Sequence, residues 1–245
     1  MRRFFAMSLM LTAVSAANAH YNMLLPNKPW AEKGEKVTFT YQFGHPFEHE
    51  LFDAPRPIAL VVITPKGKKE ALAIEKVLSL IKVDGADGKK VTAWQFTFTP
   101  PERGDYTFTL KTAKIKHDER KLIEDVVKVV LHVQTQNGWD EAGPAFADHI
   151  DIEALTRPYR ILPGMVFRGR AISSNKTGAA GIEIEKYNPK PIKNLPPDEL
   201  ITFKTKADDN GIFVTTLPEA GWWGVTALSN AGPRATFWIH VDEKK

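Results

Sequence analysis

The sequence predicts an all-β protein built as two β-sandwiches in tandem. Three observations carry that expectation. Apolar residues recur at every second position in several short segments, the period of a sheet with one face buried. Proline and glycine clusters punctuate those segments where hairpins would turn. The pattern lapses between positions 134 and 163 and then restarts, as it would on entering a second domain.

In chain order, the first 19 residues carry Arg2 and Arg3, an apolar run from Phe4 to Ala17, and Ala17-Asn18-Ala19, which fits the small-x-small rule for signal peptidase. The segment reads as a cleaved export signal: its apolar run falls short of the roughly 20 residues that span a bilayer, and no other segment comes near that length. The mature chain is expected to be periplasmic, to lack a membrane span, and to begin at His20.

Residues 20–134 are expected to form the first sandwich, of the immunoglobulin-like kind. Val37, Phe39, Tyr41 and Phe43 alternate with Thr38, Thr40 and Gln42, giving a strand that ends at Phe43. Pro46 disfavours helix through His45, so a loop follows. Ile58 to Thr64 is a continuous apolar run closed by Pro65-Lys66-Gly67, a strand covered on both faces and then a turn. From Glu70 to Lys82, Leu72, Ile74, Leu78 and Ile81 fit either a helical stripe or two short strands. Trp94, Phe96 and Phe98 alternate again, Pro100 to Asp105 turns the chain, and Tyr106, Phe108 and Leu110 lead back. Val127, Val129, Leu131 and Val133 make another strand, although Val126 and Val130 blur its alternation and leave a central position open.

Residues 135–163 carry few periodic signals and are expected to be an ordered interdomain crossover packed along an interface, with Trp139 buried in it. Strand patterns return over 164–245. Phe203 to Phe213 with its threonine and aspartate turn ending in Gly211-Ile212-Phe213, followed by Leu217-Pro218, resembles the small transthyretin-like or carboxypeptidase-regulatory-like sandwich, a resemblance that concerns fold and is silent on function. Asp208 and Asp209 before Asn210-Gly211 read as turn chemistry rather than a calcium site. In the last strand, Phe237, Ile239 and Val241 take one face and Thr236, Trp238 and His240 the other.

Composition narrows the function. With no cysteine, an exported chain has neither a disulfide framework nor thiolate ligands for a soft metal or zinc. Loss of Arg2 and Arg3 would leave a formal charge of about +2 spread in runs of mixed sign, and nothing in it asks for nucleic acid. Ser173 and Ser174 sit in a turn without a nucleophile elbow, so hydrolase chemistry has no support.

The chemistry-bearing stretch is Gly44-His45-Pro46-Phe47-Glu48-His49-Glu50. His45 and His49, four apart, suit a divalent transition metal. Cleavage after Ala19 would give His20 a free α-amino group beside its imidazole, a chelating pair. His20, His45 and His49 are therefore the candidate ligands. Glu48, Glu50 and Asp53 are placed to orient the rings or to supply an oxygen ligand. His132 and His240 are less secure, since strand histidines with apolar neighbours are commonly structural.

The alanine-histidine start, the Gly-His-Pro-Phe-Glu-His-Glu segment, Leu131-His132-Val133 with Asn137-Gly138-Trp139 behind it, and the regulatory-like tail together resemble domain-of-unknown-function proteins described as periplasmic components of cobalt and nickel ABC uptake systems. The resemblance implies a non-catalytic periplasmic protein that binds nickel or cobalt through His20, His45 and His49 and passes it to an inner-membrane metal permease. The nitrogen donors also admit copper or zinc, with intrinsic affinity highest for copper. Copper delivery, a copper oxygenase using the terminal histidine, and a siteless adhesion or scaffold module are the alternatives the residues leave open.

Overall fold

The computed structural model describes residues 20–116, 122–134, 139, 143–173, 176–177, 180–229 and 233–244, so the export segment lies outside the described residues. The strands in order are β1 (Tyr21–Pro26), β2 (Trp30–Ala31), β3 (Val37–His45), β4 (Glu50–Phe52), β5 (Pro57–Ile63), β6 (Lys69–Ala71), β7 (Ser79–Asp84), β8 (Lys90–Phe98), β9 (Gly104–Thr112), β10 (Ile115–Lys116), β11 (Leu122–Ile123) and β12 (Asp125–Val133) in the first half. The second half continues with β13 (Ile150–Ala154), β14 (Val166–Ser173), β15 (Lys176–Thr177), β16 (Gly181–Lys186), β17 (Thr202–Lys206), β18 (Ile212–Thr216), β19 (Gly221–Leu228) and β20 (Arg234–Val241). Two single-turn helices, α1 (Ile74–Val77) and α2 (Asp198–Ile201), complete the elements used below. Among the described residues no helix is long and apolar enough to cross a membrane.

The fold is an all-β sandwich assembly organised around one shared sheet. That sheet runs β17-β16-β19-β20-β12-β9-β5-β6, with β2 also on β12, and so contains strands from both halves of the chain. Alternation assigns its two faces. Val127, Val129, Leu131 and Val133 of β12 enter a core closed by β1, β3 and β8, while Val126 and Val130 enter a second core closed by β13, β14 and β18. Every residue of β12 is consequently buried. β20 is divided in the same way: Phe237, Ile239 and Val241 join the second core and Trp238 the first.

Two cores exist, but they share a sheet, because the C-terminal strand β20 pairs in parallel with β12 and antiparallel with β19. The crossover also contains a strand: β13 pairs with β14 inside the region expected to be irregular. Its Ile150 and Ile152 are buried in the second core, a period-two signal too short to stand out among the turns around it. Trp139 packs partly buried against that core and donates Nε1–H to the Ala154 carbonyl at 3.0 Å. The stretch from Glu70 to Lys82 resolves into both expected forms, since α1 stands between β6 and β7. The Asp208 carboxylate accepts from the Asn210 and Ile212 amides at 2.9 and 2.7 Å, the turn role expected of it.

Polar groups pin the shared sheet. Asp125 and Arg234, register partners at the start of the parallel pair, are both buried, and Arg234 Nη2 lies 2.5 Å from Asp125 Oδ2. Asp125 also accepts from Asn22 Nδ2 at 2.9 Å, and Asn22 Oδ1 in turn accepts from the Tyr41 hydroxyl at 2.6 Å. Trp238 Nε1–H donates to the Asn22 carbonyl at 2.8 Å, with its ring against Gly224, where a Cβ would come within 3.0 Å of it. On the other face, buried Lys128 pairs with Asp151 at 3.0 Å and ties β12 to β13.

Removing one partner of a buried ion pair strands the other charge, so Asp125→Ala should lose about 3–5 kcal/mol of unfolding free energy in urea titration. A loss below about 1 kcal/mol would show that the pair does not hold the strands together.

Candidate metal centre

The pairing of β1 with β3 sets the site. Tyr21 lies opposite Gly44, and continuing that antiparallel register places His20 opposite His45. The two imidazoles meet edge to face, with ring centroids 4.7 Å apart and planes at 60°. Phe52 and Phe43 flank the His20 ring at 4.9 and 5.4 Å, and Phe52 also lies 5.8 Å from the His45 ring. β4 adds a third strand to the row, with Glu50 opposite His45 and Phe52 opposite Phe43. His20, His45 and Glu50 thus form one line across three strands, with the aromatic residues in the next line.

The strand carrying His45 extends two residues beyond Phe43, where it was expected to end. Proline explains the new limit: Pro46 favours an extended residue before it and then has no N–H to continue the ladder. Gly44 is required within this stretch. Its φ is +151°, and a Cβ there would run into the Glu50 carbonyl across the hairpin.

His49 does not join the pair. Its ring lies 5.8 Å from Tyr187, and its Nδ1 is 2.8 Å from the Asn188 carbonyl, which fixes Nδ1 as the protonated nitrogen. Burial lowers its pKa below the ordinary histidine value, partly opposed by the Asn188 carbonyl. Among the described residues no three His, Cys, Asp or Glu side chains stand close enough to hold a metal ion together. The turn therefore delivers one of its two imidazoles to His20 and sends the other to the C-terminal half. The i, i+4 spacing suggested convergence, but His49 has a left-handed backbone (φ 57°) at the end of a hairpin turn, not a helical one.

The remaining candidates divide by environment. Asp53 is exposed and accepts from the Thr92 amide at 2.7 Å, a bond that lowers its pKa and occupies it with β8. His132 Nδ1 is 2.7 Å from Asp105, its ring stacks on Tyr159 at 4.1 Å, and Asp105 also accepts from the Tyr159 hydroxyl. His240 contacts Asp242 at 3.1 Å and the edge of Trp222, and burial lowers its pKa. Both strand histidines thus have structural partners away from His20. Glu48 points inward, and its Oε2 is buried without a hydrogen-bond partner among the described residues.

Sequence reasoning missed the residues on the second half that receive the turn. Asn188 donates its backbone N–H to the Pro46 carbonyl at 2.9 Å and its Nδ2 to the Phe47 carbonyl at 2.7 Å. Buried Glu185 accepts from the Phe47 amide at 3.2 Å and from the Thr202 hydroxyl at 2.7 Å. Glu183 accepts from the Tyr21 hydroxyl at 3.0 Å and pairs with Lys204. Glu183 and Glu185 alternate with Ile182 and Ile184, so they read as the solvent face of a strand; only the tertiary fold reveals that β1 and the turn cover that face.

The chain belongs to the family described as domain of unknown function (DUF4198), which matches residues 17–231. No curated protein matches it. Among solved structures it is similar to DIP-gamma IG1+IG2, at 7% identity over 94% of this chain and 100% of that one, with a TM-score of 0.24. It is also similar to the Yersinia pseudotuberculosis adhesin InvE (10% identity, 90% of this chain, 58% of that one, TM-score 0.27). The two tandem V-type regions of VCBP3, a v-region-containing chitin binding protein, match at 13% identity, covering 90% of this chain and 99% of that one, with a TM-score of 0.25.

Burial, reinforced by the carboxylates of Glu48 and Glu183, pushes the Glu185 carboxyl up from 4.5 to about 7. Between those values the folded chain keeps a proton that the unfolded chain has lost, so the stability from this group is present below pH 4.5 and is lost as pH rises through 7. Glu185→Gln, which stays neutral, should gain on the parent by up to about 3 kcal/mol between pH 5 and 8 in parallel urea titrations. A gap that stays constant with pH would rule out titration of Glu185 in that range.

Proposed function

We propose that the processed protein is a periplasmic transition-metal carrier. Its site is the His20–His45 pair, completed by the α-amino group that removal of the first 19 residues gives His20. The observation that carries this reading is the edge-to-face contact of the two imidazoles at 4.7 Å, from strands whose register sets them opposite each other. In the uncleaved chain the His20 nitrogen is a peptide amide and a poor donor. After cleavage the amine and Nδ1 of His20 would chelate from one side and the His45 imidazole from the other, giving three nitrogen ligands without His49.

Three neutral nitrogens follow the intrinsic order copper over nickel over cobalt, with zinc below copper. The resemblance to uptake components favours nickel or cobalt as cargo and an inner-membrane permease as recipient. The reduction from three imidazoles to two favours copper as the second reading. Glu50, opposite His45 and exposed, is the nearest carboxylate in the strand row to supply an oxygen.

A competition experiment tests the reading. The stripped, processed protein is offered equal nickel, cobalt, copper and zinc beside a form with one extra residue before His20 and beside His45→Ala. Stoichiometric retention by the parent should fall at least about tenfold in affinity in both altered forms, and the retained metal identifies the cargo. Equal retention by the extended form would remove the amine from the site, and no retention by the parent would end the carrier reading.

A further inference from the structure

We propose that Asn188 is a positioning residue for the metal ligands, and that the C-terminal half is the base on which the histidine turn is seated. The inference rests on reading His20 and His45 as ligands. It begins from a mismatch between the turn and its own strands. Between β3 and β4 the chain reverses over residues 46–49, where Pro46 supplies no N–H and His49 adopts a left-handed backbone.

The groups that hold this reversal come from residues 185–188. Asn188 alone engages three of the four turn residues: its N–H reaches the Pro46 carbonyl, its Nδ2 the Phe47 carbonyl, and its own carbonyl the His49 Nδ1. Glu185 takes the Phe47 amide. His45 immediately precedes this anchored turn, so its backbone is held from the β1 side by pairing and from the turn side by Asn188. The partner ligand is fixed to the same half independently, since Tyr21 next to His20 bonds Glu183, and the Asn22 carbonyl accepts from Trp238. Both ligands are therefore referenced to one body, strands β16 and β20. That accounts for a histidine at position 49 which takes no part in the pair: it is the third tooth of the Asn188 clamp.

A clamp and a ligand differ in what their removal changes. Loss of a group that orients a metal ligand typically costs about 10–100-fold in metal affinity while the donor atoms stay the same. The experiment uses the full processed chain beginning at His20, with Cu(II) as the probe, and compares the parent with Asn188→Ala, His49→Ala and the double variant. Each substitution removes one bond of the clamp, so copper affinity should fall by about 10–100-fold in Asn188→Ala and fall also in His49→Ala, with less than additive loss in the double variant. The nitrogen hyperfine pattern of bound Cu(II) should remain that of three nitrogens in all four proteins. Asn188→Ala removes the Nδ2 bond to Phe47 and leaves both backbone bonds. Loss of a nitrogen in His49→Ala would make His49 a ligand, and unchanged affinity in Asn188→Ala would overturn the positioning role of the Asn188 side chain.

A metal-free readout separates this proposal from the one beneath it. The ring-proton NMR signals of His20 and His45 in the metal-free chain should shift in Asn188→Ala while the urea midpoint shows the protein folded. If the parent binds no copper, the carrier reading fails, and these signals alone decide the clamp: movement upholds it and unmoved rings overturn it. Asn188→Ser, which like the alanine variant keeps both backbone bonds but adds a short donor, takes its place should that one fail to fold.

Discussion

The parallel pairing of β12 with β20, fixed at its start by Asp125 and Arg234, is the constraint on which the rest of the structure depends. Apolar alternation alone does not define this pairing. A slip of one residue would exchange the two faces of β20 and is excluded by Trp238 on one side and Phe237 on the other. A slip of two residues would keep every face correct. It would also leave two buried charges without partners, a cost of several kcal/mol. The ion pair thus contributes register more than net stability, and Asn22 and the Tyr41 hydroxyl extend that register to β1.

From that point the site follows by geometry. β1 is fully buried along its length because it lies over the shared sheet, and its first residue is preceded by His20 at the edge of the first core. Pairing with β3 brings His45 across from it, and Gly44 gives the β3–β4 hairpin room to close. The turn's carbonyls then need donors, which the second half supplies through Asn188. Burying Glu185 beneath the turn is the expensive part of this arrangement. Its carboxyl loses water, faces the carboxylates of Glu48 and Glu183, and accepts among the described residues two hydrogen bonds, from the Phe47 amide and the Thr202 hydroxyl.

Much of the fold was legible because period two is a local property. The alternations at Val37–Phe43, Trp94–Phe98 and Ala235–Val241 each mark a strand and its faces, and the doubled valines of β12 point to its central place. The shared sheet was not legible, since nothing near Ala235 indicates that it will pair with a strand over a hundred residues earlier. Within the site, His20 and His45 could be paired on chemical grounds. His49 was grouped with them by spacing, a rule that holds on helices and fails in a turn with a left-handed residue. Glu185 and Asn188 carry no local signal: an acid alternating with isoleucine and an asparagine after a strand look alike whether they face water or a neighbouring loop.

The bond from Trp238 to Asn22 spans 216 positions of sequence. β20 is the last strand of the chain, yet it occupies the middle of the sheet, between β12 and β19. The β1–β3 pair rests on β12 and β20 together, so its floor is complete only when β20 has taken its place. Contacts of such long sequence separation are slow to form. His20 and His45 thus face each other across strands that pair locally, while the sheet beneath them is joined by contacts between distant parts of the sequence.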